Sequence, residues 1–254
     1  MADYITIRKK FEAILAKVGG VDSFTTDQAK LVMKNFIDVI SQLRLNGNGA
    51  ENFLFGYSEI FKLDFIGSPN LKSGKYIFTP NHVSEFDGPL FGLLHPNMLV
   101  MAKKEWTDDL TLFEFLSQFF KVVGVDRNDK LSGVMGIKRC IQHIKNFENS
   151  AVTIFVQQTI ADININQPED IASGAFFVHK KTGADIIPVF CEQVSFHYPT
   201  RIVFGNPLEV THIEQFGQEW LKAELQMQHS LINPQARKPI LNEKHSTPIS
   251  QRDF

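Results

Sequence analysis

Asn81, His82, Ser84 and Asp87 fall within the stretch Asn81–Asp87, directly after the apolar, strand-like run Tyr76–Phe78 and before Gly88-Pro89. An imidazole and a carboxylate this close in sequence are the parts of a general base. The carboxylate fixes the ring tautomer through one nitrogen, and the other nitrogen takes a proton from an alcohol. Residues five apart on a regular helix differ by about 140° around the axis. His82 and Asp87 therefore meet only if the intervening Val83–Phe86 turns, which a strand followed by a Gly-Pro helix start allows. The blander alternative makes Asp87 a helix cap and His82 a satisfied loop histidine, and on spacing alone it is the commoner arrangement. A Ser84-His82-Asp87 hydrolytic triad is a third option. It lacks a Gly-x-Ser-x-Gly elbow, and three triad members so close in sequence relay a proton poorly.

The chain that must position these groups has 254 residues, 43% hydrophobic and 21% charged. That suits one large α/β domain with a packed core and a small appendage. Its 26 basic and 28 acidic residues give a net charge of -2, without the basic excess of a nucleic-acid-binding protein. The 23 phenylalanines suit an apolar tunnel or binding surface as well as a core. Cys140 and Cys191 offer neither a disulfide framework nor metal-ligand spacing and read as free buried thiols. The opening MADYITIRKKFEAIL lacks the marks of a signal peptide. No run reaches the roughly 18 apolar residues of a membrane span. The nearest candidates are broken by His95, Pro96 and Asn97, or by Glu114, Gln118 and Lys121.

Residues 1–56 read as a helical hairpin, with Phe11, Ile14, Leu15 and Val18 on one helix face and Val32, Met33, Phe36, Ile37, Ile40 and Leu43 on the next. Thr25 and Gln28 stand at capping-box spacing. Residues 57–212 read as an α/β domain. Strand-like KLDFIG, YIFTP, NMLVMA, KVVGVDR, AVTIFV, ADIIPVFCEQV and RIVFGNPLEV alternate with helical GPLFGLL, TLFEFLSQFF, GVMGIKRCIQHIKNF and GAFFVHKKTG. That order predicts a mixed, mostly parallel sheet flanked by helices on both faces. Residues 213–254 read as a polar helix, IEQFGQEWLKAELQMQHSLI, and a loosely packed tail.

Asn81-His82-x-Ser84-x-x-Asp87 resembles the first motif of the glycerolipid acyltransferases, the family that includes the 1-acylglycerol-3-phosphate acyltransferases. The resemblance continues in order through MAKKEW (Lys103, Lys104, Glu105), VVGVDR (Gly124, Arg127), GAFFVHKKTGADIIPV (Gly174, Ala175, Phe176, Gly183, Pro188, Val189) and RIVFGNP, over roughly Lys62 to Val210. Several motifs in the right order weigh far more than one. The third motif departs. Where the family reads Phe-Pro-Glu-Gly-Thr-Arg, this chain keeps Phe155 and Thr159 but has Val156, Gln157, Gln158 and Ile160 at the other four positions. A carboxylate becomes an amide, a glycine gains a side chain, and a phosphate-pairing cation is lost.

The resemblance implies an O-acyltransferase of phospholipid-biosynthesis type. It would move a fatty acyl group from acyl-CoA or acyl-carrier protein to a lysophospholipid hydroxyl, with His82 and Asp87 as catalytic pair and no cofactor or metal. It further implies substrate contacts at Asn81, Ser84, Lys104, Arg127, Phe155 and Thr159, with Lys103 a weaker candidate and Ser84 as turn hydroxyl rather than nucleophile. The turn's backbone N–H groups or the Asn81 amide are the expected oxyanion donors. Phe86, Phe91, Phe113 and Phe176 are candidate walls for an acyl channel. A lipid acceptor implies peripheral attachment to the inner membrane face, through the N-terminal hairpin or the LTLFEFLSQFF segment, and no nucleic-acid partner. The altered third motif leaves two alternatives: a non-phosphate acceptor, or a lipid-binding relative with little activity.

Overall fold

The computed structural model describes residues 26–42, 63–67, 74–84, 86–92, 94–158, 167–192 and 200–232. Most of the expected hairpin, the cap at Thr25, Thr159, Ile160 and the tail lie outside these residues. The described chain runs α1 (Thr26–Gln42), β1 (Asp64–Ile66), β2 (Lys75–Pro80), α2 (Asp87–Gly92), β3 (Met98–Lys103), α3 (Lys104–Asp108), α4 (Leu110–Leu116) and β4 (Lys121–Val125). It continues through α5 (Lys130–Asn146), β5 (Ser150–Thr153), α6 (Gly174–Thr182), β6 (Asp185–Cys191), β7 (Arg201–Phe204) and α7 (Ile213–Ile232).

The seven strands form one sheet in the order β1-β7-β6-β2-β5-β3-β4. Every neighbouring pair is parallel except β6 and β7. The expected mixed, mostly parallel α/β architecture is therefore present. Its physical signature is that the central strands are apolar on both faces, as strands buried between helices must be. Side chains alternate across a strand. Accordingly Phe78, Val100, Ala151 and Ile187 enter a core beneath α1, α2 and α4, while Ile77, Leu99, Val152 and Ile186 enter a second core beneath α5, α6 and α7. Cys140 and Cys191 are free buried thiols, and burial pushes the Cys140 thiol up to about 12.

Local packing adds detail that periodicity lacks. The Phe-rich stretch turns Leu112, Leu116 and Phe120 into the first core and leaves Leu110 69% exposed. Lys104–Asp108 forms a short helix that periodicity missed, with Trp106 buried beneath it. The expected C-terminal helix α7 packs on the sheet, with Phe216, Trp220 and Met227 buried. The Trp220 indole N–H lies 3.0 Å from the Thr79 carbonyl and 3.1 Å from its hydroxyl, which fixes the end of β2 just before His82. Among the described residues no helix is long and apolar enough to cross a membrane.

Burial of α7 reaches one acid. The Glu224 carboxyl, 3% exposed, is pushed up to about 7 by desolvation. The folded protein thus holds this proton more tightly than the unfolded chain. The associated stability is present below pH 4.5 and is lost as pH rises to about 7. Glu224→Gln should therefore be more stable than the natural chain at pH 8, by up to about 3 kcal/mol. The gain should vanish toward pH 4.5, as read by urea denaturation at the two pH values.

Candidate active site

In parallel α/β sheets the usable crevice lies beyond the carboxyl ends of the strands. Here it is a cavity of about 830 Å³ past the ends of β3, β4 and β5, with His82 and Asp87 in its wall. β2 delivers His82 to this edge, and the chain then turns into α2. The turn is closed by one atom. Asp87 Oδ2 accepts from the backbone N–H of Val83 at 3.0 Å and of Ser84 at 3.1 Å, and lies 3.0 Å from His82 Nδ1. Two of these partners can only donate, so Oδ2 is an acceptor and Nδ1 carries the proton. That tautomer leaves the Nε2 lone pair as the ring's free acceptor, on a residue that is 7% exposed and lines the cavity. The Phe155 ring stacks obliquely on the imidazole, centroids 4.5 Å apart, and is itself held edge-on by Phe91. The ring is thus fixed by a carboxylate on its edge and an aromatic on its face.

The other predicted residues divide. Asn81 is buried and clamps β6. Its Nδ2 donates to the Cys191 carbonyl at 2.8 Å and its Oδ1 accepts the Cys191 N–H at 2.7 Å. It is a structural anchor at this edge rather than a donor poised for an oxyanion. The turn N–H groups are engaged as well, those of Val83 and Ser84 by Asp87 and that of His82 by Gln157. Ser84 Oγ accepts the Phe86 N–H, which makes it the expected turn hydroxyl. Arg127, Phe155 and Phe113 line the cavity, while Phe91 supports Phe155 and Phe86 and Phe176 belong to the cores.

The two neighbouring lysines exchange their expected places. Lys103, the last residue of β3, lines the His82 cavity, whereas Lys104 turns into a separate polar depression of about 310 Å³ beside Thr107, Asp108 and Arg139. Alternation along an extended chain sends consecutive side chains to opposite sides, so one of the pair had to face away. Sequence reasoning also missed Trp106, Leu116 and Phe120 on the apolar wall, and Lys130, Lys138 and Lys181 at the α5–α6 end of the cavity. The lysines' signal was available, since Lys138 sits one turn after Val134 and Lys181 one turn after Phe177.

The divergent third motif keeps its backbone role. Gln157 Oε1 accepts the His82 backbone N–H at 2.8 Å, a contact that requires only an acceptor, so an amide serves where a carboxylate was expected. Gln158 holds φ at 60°, alone among non-glycine residues described, at the position where the resemblance expects glycine. Left-handed backbone costs an ordinary L-residue about 1–2 kcal/mol.

The family model described as Acyltransferase matches residues 62–192. Among solved structures, the crystal structure of the 1-acyl-sn-glycerophosphate (LPA) acyltransferase PlsC from Thermotoga maritima is similar at 17% identity and a TM-score of 0.48, over 86% of this chain and 94% of that one.

The strained Gln158 gives a direct test of this geometry. Gln158→Gly should leave stability unchanged or raise it, while Gln158→Val should lower it by about 1–2 kcal/mol, because a β-branched residue tolerates positive φ worst. Chemical denaturation of the three chains reads the ordering, and a reversed order would refute the left-handed turn.

Proposed function

Since this chain belongs to the Acyltransferase family, we propose that it moves a fatty acyl group from an acyl thioester to a lysophospholipid hydroxyl, with His82 as general base. The acceptor is 1-acylglycerol-3-phosphate or a near relative, and the donor is acyl-CoA or acyl-carrier protein. The observation that carries this reading is the imidazole held by Asp87 Oδ2 at 3.0 Å, on a histidine that lines a large, mainly apolar cavity.

The step balances without a cofactor. Nε2 takes the acceptor's hydroxyl proton as its oxygen attacks the thioester carbonyl. The tetrahedral intermediate then collapses, the C–S bond breaks, and the imidazolium returns the proton to the departing sulfur. Asp87 stabilises the imidazolium between the two steps. Trp106, Phe113, Leu116 and Phe120 offer an apolar wall for the acyl chain. Arg127 and Lys103, in the wall of the same cavity, are the proposed partners of the acceptor phosphate, and Lys104 is not. Working on a lipid, the enzyme attaches peripherally to the inner face of the membrane.

His82→Ala should lower acceptor-dependent thiol release by about 10²–10⁴-fold. Comparable thiol release without acceptor would instead mark a hydrolase. Arg127→Ala should raise KM for 1-acylglycerol-3-phosphate by about tenfold or more with a smaller change in kcat, and Lys104→Ala should stay within about twofold. An Arg127→Ala enzyme with unchanged KM would move the assignment to an acceptor without a phosphate. Steady-state assays with one acyl-CoA and a panel of lysolipids separate these outcomes.

A further inference from the structure

The outer face of α5 carries the wrong residues for water. Leu131, Val134 and Met135 are 67%, 51% and 44% exposed, on a helix whose opposite face is buried against β3, β4 and β5. At 100° per residue they and Lys138 fall within one sector about 100° wide. Phe177, 47% exposed on the neighbouring α6, extends the apolar surface. The two helices approach closely because Gly174 has no side chain: a Cβ there would stand 2.8 Å from Ile137 Cδ1. Val134 and Phe177 belong at once to this surface and to the cavity lining, so the apolar face runs into the mouth of the site without a polar break.

Charge selects what would cover it. Lys130, Lys138 and Lys181 stand at the same mouth and make no ion pair among the described residues. Asp126 and Asp129 line the same cavity and carry negative charge, but with Asp87 they are three acids against the five bases Lys103, Arg127, Lys130, Lys138 and Lys181. A chain with net charge -2 thus presents an apolar surface fringed by a local excess of basic groups. Water disfavours that combination, and an anionic bilayer matches it in both respects: apolar side chains enter the acyl boundary while lysines meet headgroup phosphates.

We propose that the outer face of α5 and α6 is a docking surface for an anionic lipid bilayer, seated so that the cavity opens into the headgroup layer. It rests on the acyl-transfer reading only for the reason an amphiphile must enter there. The surface differs from the LTLFEFLSQFF segment the sequence suggested, where Leu112, Leu116 and Phe120 are buried and Leu110 alone is a strongly exposed large apolar residue, at 69%. Bilayer contact along α5 would let a lipid slide past Val134 and Phe177 toward His82 without crossing water.

The test uses the intact chain and flotation with vesicles of phosphatidylcholine mixed with phosphatidylglycerol, or of phosphatidylcholine alone. Leu131 and Met135 lie outside the cavity lining, and glutamine preserves helix propensity. Leu131→Gln/Met135→Gln should therefore weaken binding to the anionic vesicles by about tenfold or more. It should leave thermal unfolding and turnover of short-chain, water-soluble substrates unchanged. Leu225→Gln, an equally exposed leucine on α7 (56%), should bind like the natural chain, and neutral vesicles should bind more weakly than anionic ones. Unchanged flotation of the double variant, or equal loss in Leu225→Gln, overturns the docking face even if acyl transfer stands. Selective loss of turnover with a carrier-protein-bound donor, vesicle binding intact, assigns the face to that protein and equally overturns it. Face-dependent flotation by a chain that turns over no thioester would leave the docking surface standing and remove the acyl-transfer reading.

Discussion

One carboxylate oxygen organises the site. Asp87 Oδ2 gathers the Val83 and Ser84 N–H groups and the His82 ring, so the same atom that closes the turn also sets the tautomer of the base. Fold and chemistry cannot be separated there. A side chain that failed to orient the imidazole would also leave two half-buried backbone donors without their acceptor. The other oxygen, Oδ1, is buried with no hydrogen-bond partner among the described residues.

That turn is useful only if the strand feeding it does not move. The end of β2 is held by contacts from three directions. Trp220 on α7 bonds Thr79, Asn81 bonds both backbone groups of Cys191 on β6, and Gln157 beyond β5 bonds the His82 N–H. Elements far apart in sequence thus converge on the residues just before and at the base. Misplacing a catalytic group by an ångström costs orders of magnitude in rate. A C-terminal helix that never enters the cavity is consequently part of the machinery that positions it.

The sequence was informative where chemistry is local or periodic. All seven strands fall on stretches that pattern alone marks, three of them reaching one residue further at Lys75, Lys103 and Ser150, because strands buried on both faces read as apolar runs. The His82–Asp87 pairing followed from a motif whose members are close in the chain. Long-range consequences were illegible. The antiparallel direction of β7 depends on the route of a connection, and the inward turn of Leu112, Leu116 and Phe120 depends on which face α4 offers to the sheet. Lys103 and Lys104 have the same chemistry in adjacent positions, and only the exact end of β3 decides which of them reaches the cavity. The anchoring of Trp220 pairs residues 141 positions apart, beyond any spacing rule.

The divergent third motif has a physical character of its own. Gln158 accepts a left-handed conformation that costs it energy. The Gln157 amide oxygen meets the His82 N–H, a contact that needs only an acceptor. Both glutamines leave room for the ring, the Asp87 oxygen and Phe155 in their contacts with one another. What the substitutions do remove is formal charge: one carboxylate beneath the histidine turn and one arginine three residues further on. Charge acts on a ligand's headgroup more than on the backbone that surrounds it. On the proposed reading, then, the divergence bears on which acceptor is held. The cations that remain along the cavity, Lys103, Arg127, Lys130, Lys138 and Lys181, are the groups left to make that choice.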